Sequence, residues 1–301
     1  MKIDKAQILS SFWFKLLALL TMTIDHAAIF LMMYLKIDTA SSLYPLYLAM
    51  RCIGRLSFPL FIFLLVEGIY HTKNVWNYIF RLSIVMAGVL AVSIALYYAY
   101  SSQNFQLDNA FIDLVVIALF FACLKQNGYR KLLALIPFSY TLLCTIVPII
   151  ESQSGIAILW LPEYIRMPYA LYGLALAVFF YFAHPLAQRL SKEYVVALNT
   201  DMETFKKIPY YRSLVSSICV LGLIVVNVVF WVMSYVNKNF AYFGDMGIQS
   251  WSILAGLILI LYNGRRGYDK GWFKYGAYMY YPLHLIILFV IFQLVFIGQL
   301  F

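Results

Sequence analysis

An aspartate and a histidine lie side by side inside a long apolar stretch near the start of the chain. Asp25 and His26 belong to MTIDHAAI, which is flanked by FWFKLLALLT and FLMMYL. Lys15 precedes His26 by eleven residues. In a helix this is about three turns, so both side chains project from one face, roughly 16 Å apart. Histidine is suited to proton transfer near neutral pH, so we predict that His26 is a general base.

The next apolar stretch carries two further pairs of ionisable residues. In RCIGRLSFPLFIFLLVEGIYHT, Arg51 and Arg55 share one helix face at positions i and i+4, as do Glu67 and His71. An arginine near the base could stabilise the oxyanion of a tetrahedral intermediate. Asp25 or Glu67 could orient a histidine or an arginine. His284, in the last apolar stretch, could be a second proton carrier. The predicted catalytic residues are therefore His26, Asp25, Arg51, Arg55, Glu67 and His284.

The segment before His284 has the composition of a nucleotide-binding loop. In YNGRRGYDKGWFKYGAYMYYP, Gly264 and Gly267 flank two arginines, and several aromatic residues follow. Glycine gives backbone freedom, arginine binds phosphate oxygens, and an aromatic ring can stack on adenine. We predict a cofactor site built from Lys15, His71, Lys73, Asn263, Arg265, Arg266, Lys270 and Tyr281.

Each of these groups also has a purely structural interpretation. Asp25 could be the buried ion-pair partner of Arg51 or Arg55 and serve assembly alone. Glu67 and His71 could extend their polar ends toward water at a membrane surface. The neighbouring arginines of the last loop could reflect only the excess of basic residues in cytoplasmic loops.

The composition is that of a membrane protein along the whole chain. Of 301 residues, 64% are hydrophobic and 12% are charged, and the mean hydropathy is +0.83. A soluble domain carries about twice this share of charge. The apolar runs are continuous rather than alternating, which excludes a transmembrane barrel. The sequence therefore predicts an all-α, polytopic integral membrane helical bundle.

About nine transmembrane helices, within a range of eight to ten, are predicted from runs of roughly 20 apolar residues. They cover residues 11–34, 46–70, 77–100, 109–124, 131–150, 167–187, 212–237, 248–263 and 274–298. The fourth and eighth are the shortest, and residues 151–166 are predicted to form a loop. Pro59 is expected to kink the second helix.

The distribution of Lys and Arg predicts the orientation. With the N-terminus in the cytoplasm, fifteen of the 22 basic residues fall in cytoplasmic loops, four lie inside spans, and the outer loops hold three, Lys36, Arg166 and Lys238. The positive-inside rule therefore predicts a cytoplasmic N-terminus and an outward C-terminus. In this orientation His26 lies in the outer half of the membrane and His284 lies somewhat inward of its middle.

The remaining features of the composition predict no further partner. The net charge of +9 follows from the basic cytoplasmic loops and requires no nucleic acid. Four cysteines occur singly in apolar stretches, so we predict neither a disulfide nor a metal site. The first apolar stretch is too long and too polar for a cleavable signal peptide. One domain over residues 1–301 is predicted.

Three blocks of the sequence resemble the TraX family. They are KLLALLTMTIDH, RCIGRLSFPLFIFLLVEGIYHTKNVWNYIFRL, and LYNGRRG followed by YMYYPLHL, and they occur in the family's order at both ends of the chain. The namesake of this family acetylates the N-terminus of conjugative pilin. The resemblance implies a single transmembrane acyltransferase-like domain with acetyltransferase activity.

TraX proteins in turn resemble the wider transmembrane acyltransferases, including acyltransferase family 3. Those enzymes carry an arginine or lysine, ten residues and a histidine in their first helix, a pattern similar to Lys15 through His26. The resemblance implies that His26 is essential, that acetyl-CoA enters from the cytoplasm, and that the acceptor lies across the membrane. The chain departs from the wider family at Glu67-Gly68, where that family often has Ser-Gly.

The resulting hypothesis is an acetyltransferase in the cytoplasmic (inner) membrane of a bacterium. It would transfer acetyl from acetyl-CoA to a pilin-like protein N-terminus or an envelope glycan. One alternative is a proton-coupled secondary transporter, which also uses intramembrane Asp, His and Arg. The other is a non-catalytic assembly factor for a pilus or surface polymer. Small residues in the second and eighth helices would permit a homodimer.

Overall fold

The chain is folded into helices in a computed structural model that describes residues 7–99, 108–236, 246–268 and 270–296. Within these ranges the β-type pairing is limited to one isolated bridge, between Leu9 and Tyr262. The predicted all-α membrane bundle is confirmed. Both chain ends and Lys238, on which part of the predicted orientation rests, lie outside the described residues.

Thirteen α-helices follow one another in the described ranges. The first seven are α1 (Ser11–Leu35), α2 (Tyr44–Gly54), α3 (Ser57–His71), α4 (Val75–Ala99), α5 (Ala110–Leu124), α6 (Leu135–Ser154) and α7 (Ala170–Leu190). The remaining six are α8 (Lys192–Ala197), α9 (Met202–Phe205), α10 (Pro209–Val236), α11 (Met246–Gln249), α12 (Ala255–Ile260) and α13 (Gly271–Val295).

Seven helical segments of the described ranges are long and apolar enough to cross a bilayer, and they match seven of the nine predicted spans. The other two, α5 and the segment Met246–Ile260, are shorter. The 15 residues of α5 rise about 22 Å, less than the roughly 30 Å of a hydrocarbon core. The number of crossings therefore stays a prediction. Of the loop predicted at residues 151–166, the first four residues still belong to α6, and from Gly155 to Arg166 the chain is helical only in a turn at Glu163–Ile165.

The second predicted helix is divided into α2 and α3 by a break at Arg55 and Leu56. Pro59 explains the position of this break, because a proline ring clashes with the carbonyl four residues earlier and cannot donate a hydrogen bond to it. The hydroxyl of Ser57 donates to the carbonyl of Gly54 at 2.7 Å and satisfies one carbonyl beside the break. The kink expected at Pro59 is thus a break one helical turn earlier.

Helix α1 is central to the part of the bundle that holds the predicted site. It packs against α2, α3 and α13, and its side chains Phe14, Ala18 and Phe30 are fully buried. Helix α3 packs in turn on α5 and α7. Many apolar side chains on the outside of the bundle remain exposed, Leu20 among them, as expected for helices that face lipid rather than water.

The loop before α13 is bonded to the start of α1. The N–H of Leu9 donates to the carbonyl of Leu261 at 2.9 Å, and the N–H of Ser11 donates to the carbonyl of Arg265 at 2.9 Å. The first N–H groups of a helix have no partner within the helix, so this loop caps α1. The loop turns back at Gly267, whose φ is +73°. The start of α1 is therefore held to the loop that precedes α13.

We predict that Gly267→Ala destabilises the protein. An alanine Cβ would lie 2.2 Å from Oγ of Ser10 at a positive φ, which costs about 1–3 kcal/mol for the backbone conformation alone. Thermal unfolding in detergent should therefore begin at a lower temperature. Gly276→Ala is the control, because its Cβ meets no atom within 4 Å inside a helix. Equal melting temperatures for both variants would contradict the prediction.

Candidate functional site

Five of the six predicted catalytic residues line one cavity inside the bundle. This cavity has a volume of about 110 Å³, and we call it the His26 cavity. Side chains of α1, α2, α3, α4, α5 and α13 form its walls. Its ionisable lining residues are Asp25, His26, Arg51, Arg55, Asp108 and His284. Two aspartates and two arginines balance each other in charge, with the histidines beside them.

The two predicted histidines contact each other directly. Nδ1 of His26 lies 2.7 Å from Nε2 of His284, and their rings are nearly parallel, with an interplanar angle of 16°. Nδ1 of His284 lies 3.0 Å from the carbonyl oxygen of Tyr280, which can only accept a hydrogen bond. Since one ring nitrogen of a neutral imidazole donates and the other accepts, His284 accepts at Nε2 and His26 donates from Nδ1. This series of hydrogen bonds leaves Nε2 of His26 as the nitrogen with a lone pair.

The prediction that His284 lies at a different depth from His26 is wrong. Helix α13 begins at Gly271, three residues before the predicted start at 274. His284 is therefore thirteen residues into α13, and His26 is fifteen residues into α1. These positions correspond to rises of about 20 Å and 22 Å. The earlier helix start brings the two rings to one level.

Asp25 is paired with Arg51, as its structural interpretation predicted. Nη1 of Arg51 donates to Oδ2 of Asp25 at 2.7 Å. Oδ1 of Asp25 and Nε of Arg51 have no hydrogen-bond partner among the described residues. The approach of the two helices depends on Gly54, because a Cβ there would lie 2.3 Å from Cβ of Asp25. The pair is therefore both an assembly contact and a part of the cavity wall.

Arg55 is held by an aromatic residue at the start of α7. Its Nη1 donates to the hydroxyl of Tyr169 at 3.2 Å, and the Tyr169 ring stacks on Phe58 with 3.6 Å between centroids. Asp113 of α5 fixes this turn, because its Oδ1 accepts from the backbone N–H groups of Tyr169 and Ala170 at 3.1 and 2.8 Å. A buried carboxylate at a helix N-terminus is favoured by the helix dipole. Arg55 is thus oriented through a chain that begins on α5.

A second cavity lies at the end of the bundle where α1, α4 and α13 begin and α3 ends. Its volume is about 530 Å³, and we call it the Lys15 cavity. The ionisable residues on its wall are Lys15, Glu67, His71, Arg81 and Arg266. Three of these are cations and one is a carboxylate. The larger cavity therefore has an excess of positive charge, which suits an anionic ligand.

Glu67 is the centre of a polar cluster beside the Lys15 cavity. Its Oε1 lies 2.6 Å from Nε2 of His184 on α7, and its Oε2 lies 3.5 Å from Nε2 of His71 and from the hydroxyl of Tyr262. The ring of Tyr70 stacks on His184 with 4.2 Å between centroids. Glu67 was predicted as a catalytic residue, but it contacts the larger cavity and not the His26 cavity.

The predicted cofactor residues divide into two groups. Lys15, His71, Arg266 and Tyr281 line the Lys15 cavity. The others do not line it, and they are Lys73, Asn263, Arg265 and Lys270. Asn263 has a structural role, because its side chain accepts from the N–H of Arg265 at 2.9 Å and its carbonyl accepts from Nη1 of Arg212 at 2.7 Å.

Sequence reasoning missed four residues around the cavities, namely Asp108 on the wall of the His26 cavity, His184, Asp113 and Tyr169. His184 and Asp113 lie inside predicted spans, and the rarity of ionisable residues within membranes would have identified both. Tyr169 carries no comparable indication in the sequence, since its role depends on its contact with Arg55. Among the residues that the structure describes, no group of three or more His, Cys, Asp or Glu side chains could hold a metal ion.

We predict strong energetic coupling between Asp25 and Arg51. Changing either one alone to leucine leaves a charge without its partner at a site where the two side chains are only 14% and 16% exposed. Such a change costs about 3–5 kcal/mol, and the double change should cost less than the sum of the two single changes. Unfolding in detergent measures this cycle. Lys206→Ala, in an ion pair with the exposed Glu203, is the control and should change stability by at most about 1 kcal/mol. Additive effects of the two leucine changes would contradict the coupling.

Comparison with known proteins agrees with the first two of the three sequence blocks, while the third, within residues 261–285, lies outside the matched residues. The family model described as TraX protein matches residues 10–203. A "Probable fimbrial assembly protein FimC, serogroup H1" from Dichelobacter nodosus is 34% identical over 101 residues, which are 34% of this chain and 36% of that protein. The match thus spans about a third of the length of this relative. No solved structure matches the chain. With the family model covering more than half of its residues, the chain belongs to the TraX family.

Proposed function

We propose that the protein is a transmembrane acetyltransferase that moves acetyl from cytoplasmic acetyl-CoA to an acceptor on the other side of the membrane. The observation that carries this proposal is the His26–His284 hydrogen bond of 2.7 Å in a cavity that also holds two arginines. A base with a defined lone pair beside fixed cations is the arrangement that acyl transfer requires. Membership of the TraX family supports the same activity.

The Lys15 cavity is our candidate for the nucleotide end of acetyl-CoA. Lys15, Arg81 and Arg266 line it, and guanidinium and ammonium groups bind phosphate oxygens through charge-assisted hydrogen bonds. The basic residues of the predicted cytoplasmic loops favour a cytoplasmic location for this end of the bundle. The donor would thus bind on the side of the membrane where acetyl-CoA is made, with its thioester directed toward His26.

In the proposed reaction the acceptor amine or hydroxyl attacks the thioester carbonyl carbon while Nε2 of His26 takes its proton. The carbonyl oxygen becomes an oxyanion, which the guanidinium of Arg55 or Arg51 stabilises. The tetrahedral intermediate then breaks its carbon–sulfur bond. The departing thiolate takes the proton from His26, so the products are the acetylated acceptor and CoA with a free thiol. His284 holds the imidazole of His26 in the required orientation.

The acceptor that we favour is the N-terminus of a pilin-like protein, with an envelope glycan as the alternative. The name of the Dichelobacter nodosus relative concerns fimbrial assembly. An amine and a glycan hydroxyl both lose a proton to the base in the mechanism above, so the preference for the pilin-like protein rests on this relative. The same relative favours a second candidate function, a non-catalytic assembly factor, in which the ionisable residues of the His26 cavity serve only packing.

Binding of acetyl-CoA should depend on Arg266 and not on its neighbour Arg265. Arg266 lines the Lys15 cavity, whereas Arg265 does not. Losing a charge-assisted contact to phosphate should weaken binding of acetyl-CoA about tenfold to a hundredfold in Arg266→Ala. Calorimetric titration of the detergent-purified protein measures this. Arg265→Ala is the matched control with the same loss of net charge. Absence of binding to folded wild type would exclude the acetyltransferase and leave the transporter or the assembly factor.

Acetyl transfer should depend on the proton-accepting nitrogen of His26. We expect His26→Gln to reduce acetyl transfer to a pilin-like peptide about 10²- to 10⁴-fold while acetyl-CoA still binds. Product formation followed by mass spectrometry, together with calorimetry, separates these effects. The assembly factor predicts instead that His26→Gln retains pilus or fimbrial assembly in cells. Equal rates for wild type and His26→Gln would exclude His26 as the base.

A further inference from the structure

One apolar wall separates the two cavities. Phe61, Phe111, Leu114 and Tyr281 line both the His26 cavity and the Lys15 cavity. The Tyr281 ring is in edge contact with Phe111, with centroids 4.4 Å apart at 79°, and its centroid lies 5.5 Å from that of Phe61. Side chains of α3, α5 and α13 thus meet in one layer. No charged residue belongs to the layer, although both cavities beside it contain several.

The cavity beyond this wall is small. An apolar cavity of about 150 Å³ holds one benzene ring, which has six carbon atoms. By this measure the His26 cavity, at about 110 Å³, holds about four non-hydrogen atoms. An acetyl group contributes three such atoms, and an attacking amine nitrogen is the fourth. The volume is therefore close to that of the reacting groups of an acetyl transfer, and a longer acyl chain would extend beyond it.

We infer that Phe61, Phe111, Leu114 and Tyr281 form an acyl-length filter that restricts the donor to short acyl thioesters. This inference rests on the proposed function. With the nucleotide end of the donor in the Lys15 cavity, its sulfur lies at the wall and its acyl group lies beyond the wall, beside His26. Each further methylene of the acyl chain then meets the wall or the acceptor.

The apolar character of the wall favours this role over a contact with the nucleotide. A chain of methylene and thioester groups can pass between aromatic rings without losing strong hydrogen bonds, whereas a phosphate cannot. The phosphate groups of the donor would thus stay in the Lys15 cavity, bound by Lys15 and Arg266. Its acyl group would pass the wall and reach His26. Overpacking of such a site by extra methylenes is unfavourable. Selection by chain length follows directly from these packing limits.

The test measures the release of CoA from acetyl-, butanoyl- and hexanoyl-CoA by the detergent-purified full chain, with water as the acyl acceptor. In this reaction the carbon–sulfur bond breaks, a carbon–oxygen bond forms with water, and the thiolate takes the proton that water loses. For wild type we expect release from hexanoyl-CoA to be at least about tenfold slower than from acetyl-CoA. Leu114→Ala opens the wall, so this difference should shrink to about threefold or less.

Leu64→Ala is the matched control, because Leu64 lines the Lys15 cavity but not the His26 cavity. It should retain the chain-length preference of wild type. Phe61→Ala provides a second wall variant if Leu114→Ala does not fold, since Phe61 is less buried than Leu114. A folded wall variant with the wild-type preference would overturn the filter while the acetyltransferase stands. Absence of acetyl-CoA binding to wild type would overturn both proposals.

Discussion

The pairing of charges inside an apolar bundle is the constraint on which the rest of this structure depends. An ionisable side chain in the membrane interior costs a few kcal/mol unless it has a partner. A 2.7 Å hydrogen bond between Arg51 and Asp25 offsets this cost. Gly54 lets α2 come close enough to α1 for this bond to form. The same contact fixes α2 against α1 beside His26. One ion pair therefore determines both how two helices pack and where the candidate base faces two arginines.

Much of the fold follows from periodicity and composition, but the partners of individual side chains do not. The alternatives for Asp25 included the ion pair with Arg51, because opposite charges at a similar depth in lipid find few other polar partners. The depth of His284 was misjudged, since a helix start displaced by three residues moves a side chain by about 4.5 Å. The contact between His184 and Glu67 joins positions 117 residues apart. Local spacing gives no indication of such a contact, although each residue alone is conspicuous within a span.

The short helix α5 has a role that its length alone does not suggest. Its first residues, with Asn109 as the N-cap that accepts from the N–H of Phe111, border the His26 cavity. From there Phe111 and Leu114 reach the wall between the two cavities, and Asp113 on another face holds the turn that carries Tyr169. A helix that crossed the full bilayer would have its end, and its capping residues, at the membrane surface. A short one can bring an N-terminus and its polar groups to the depth of the candidate site.

His26 and His184 differ in the partners that hold their imidazole rings. His184 is bonded to the carboxylate of Glu67, a partner that can itself gain or lose a proton. The series of hydrogen bonds from His26 ends instead on the backbone carbonyl of Tyr280, which cannot change its protonation state. The direction of the hydrogen bonds from His26 through His284 is therefore fixed by the helix backbone of α13. Hydrogen bonds that end on a backbone carbonyl keep the lone pair of this base in one direction from one turnover to the next. Acyl transfer requires such preorganisation.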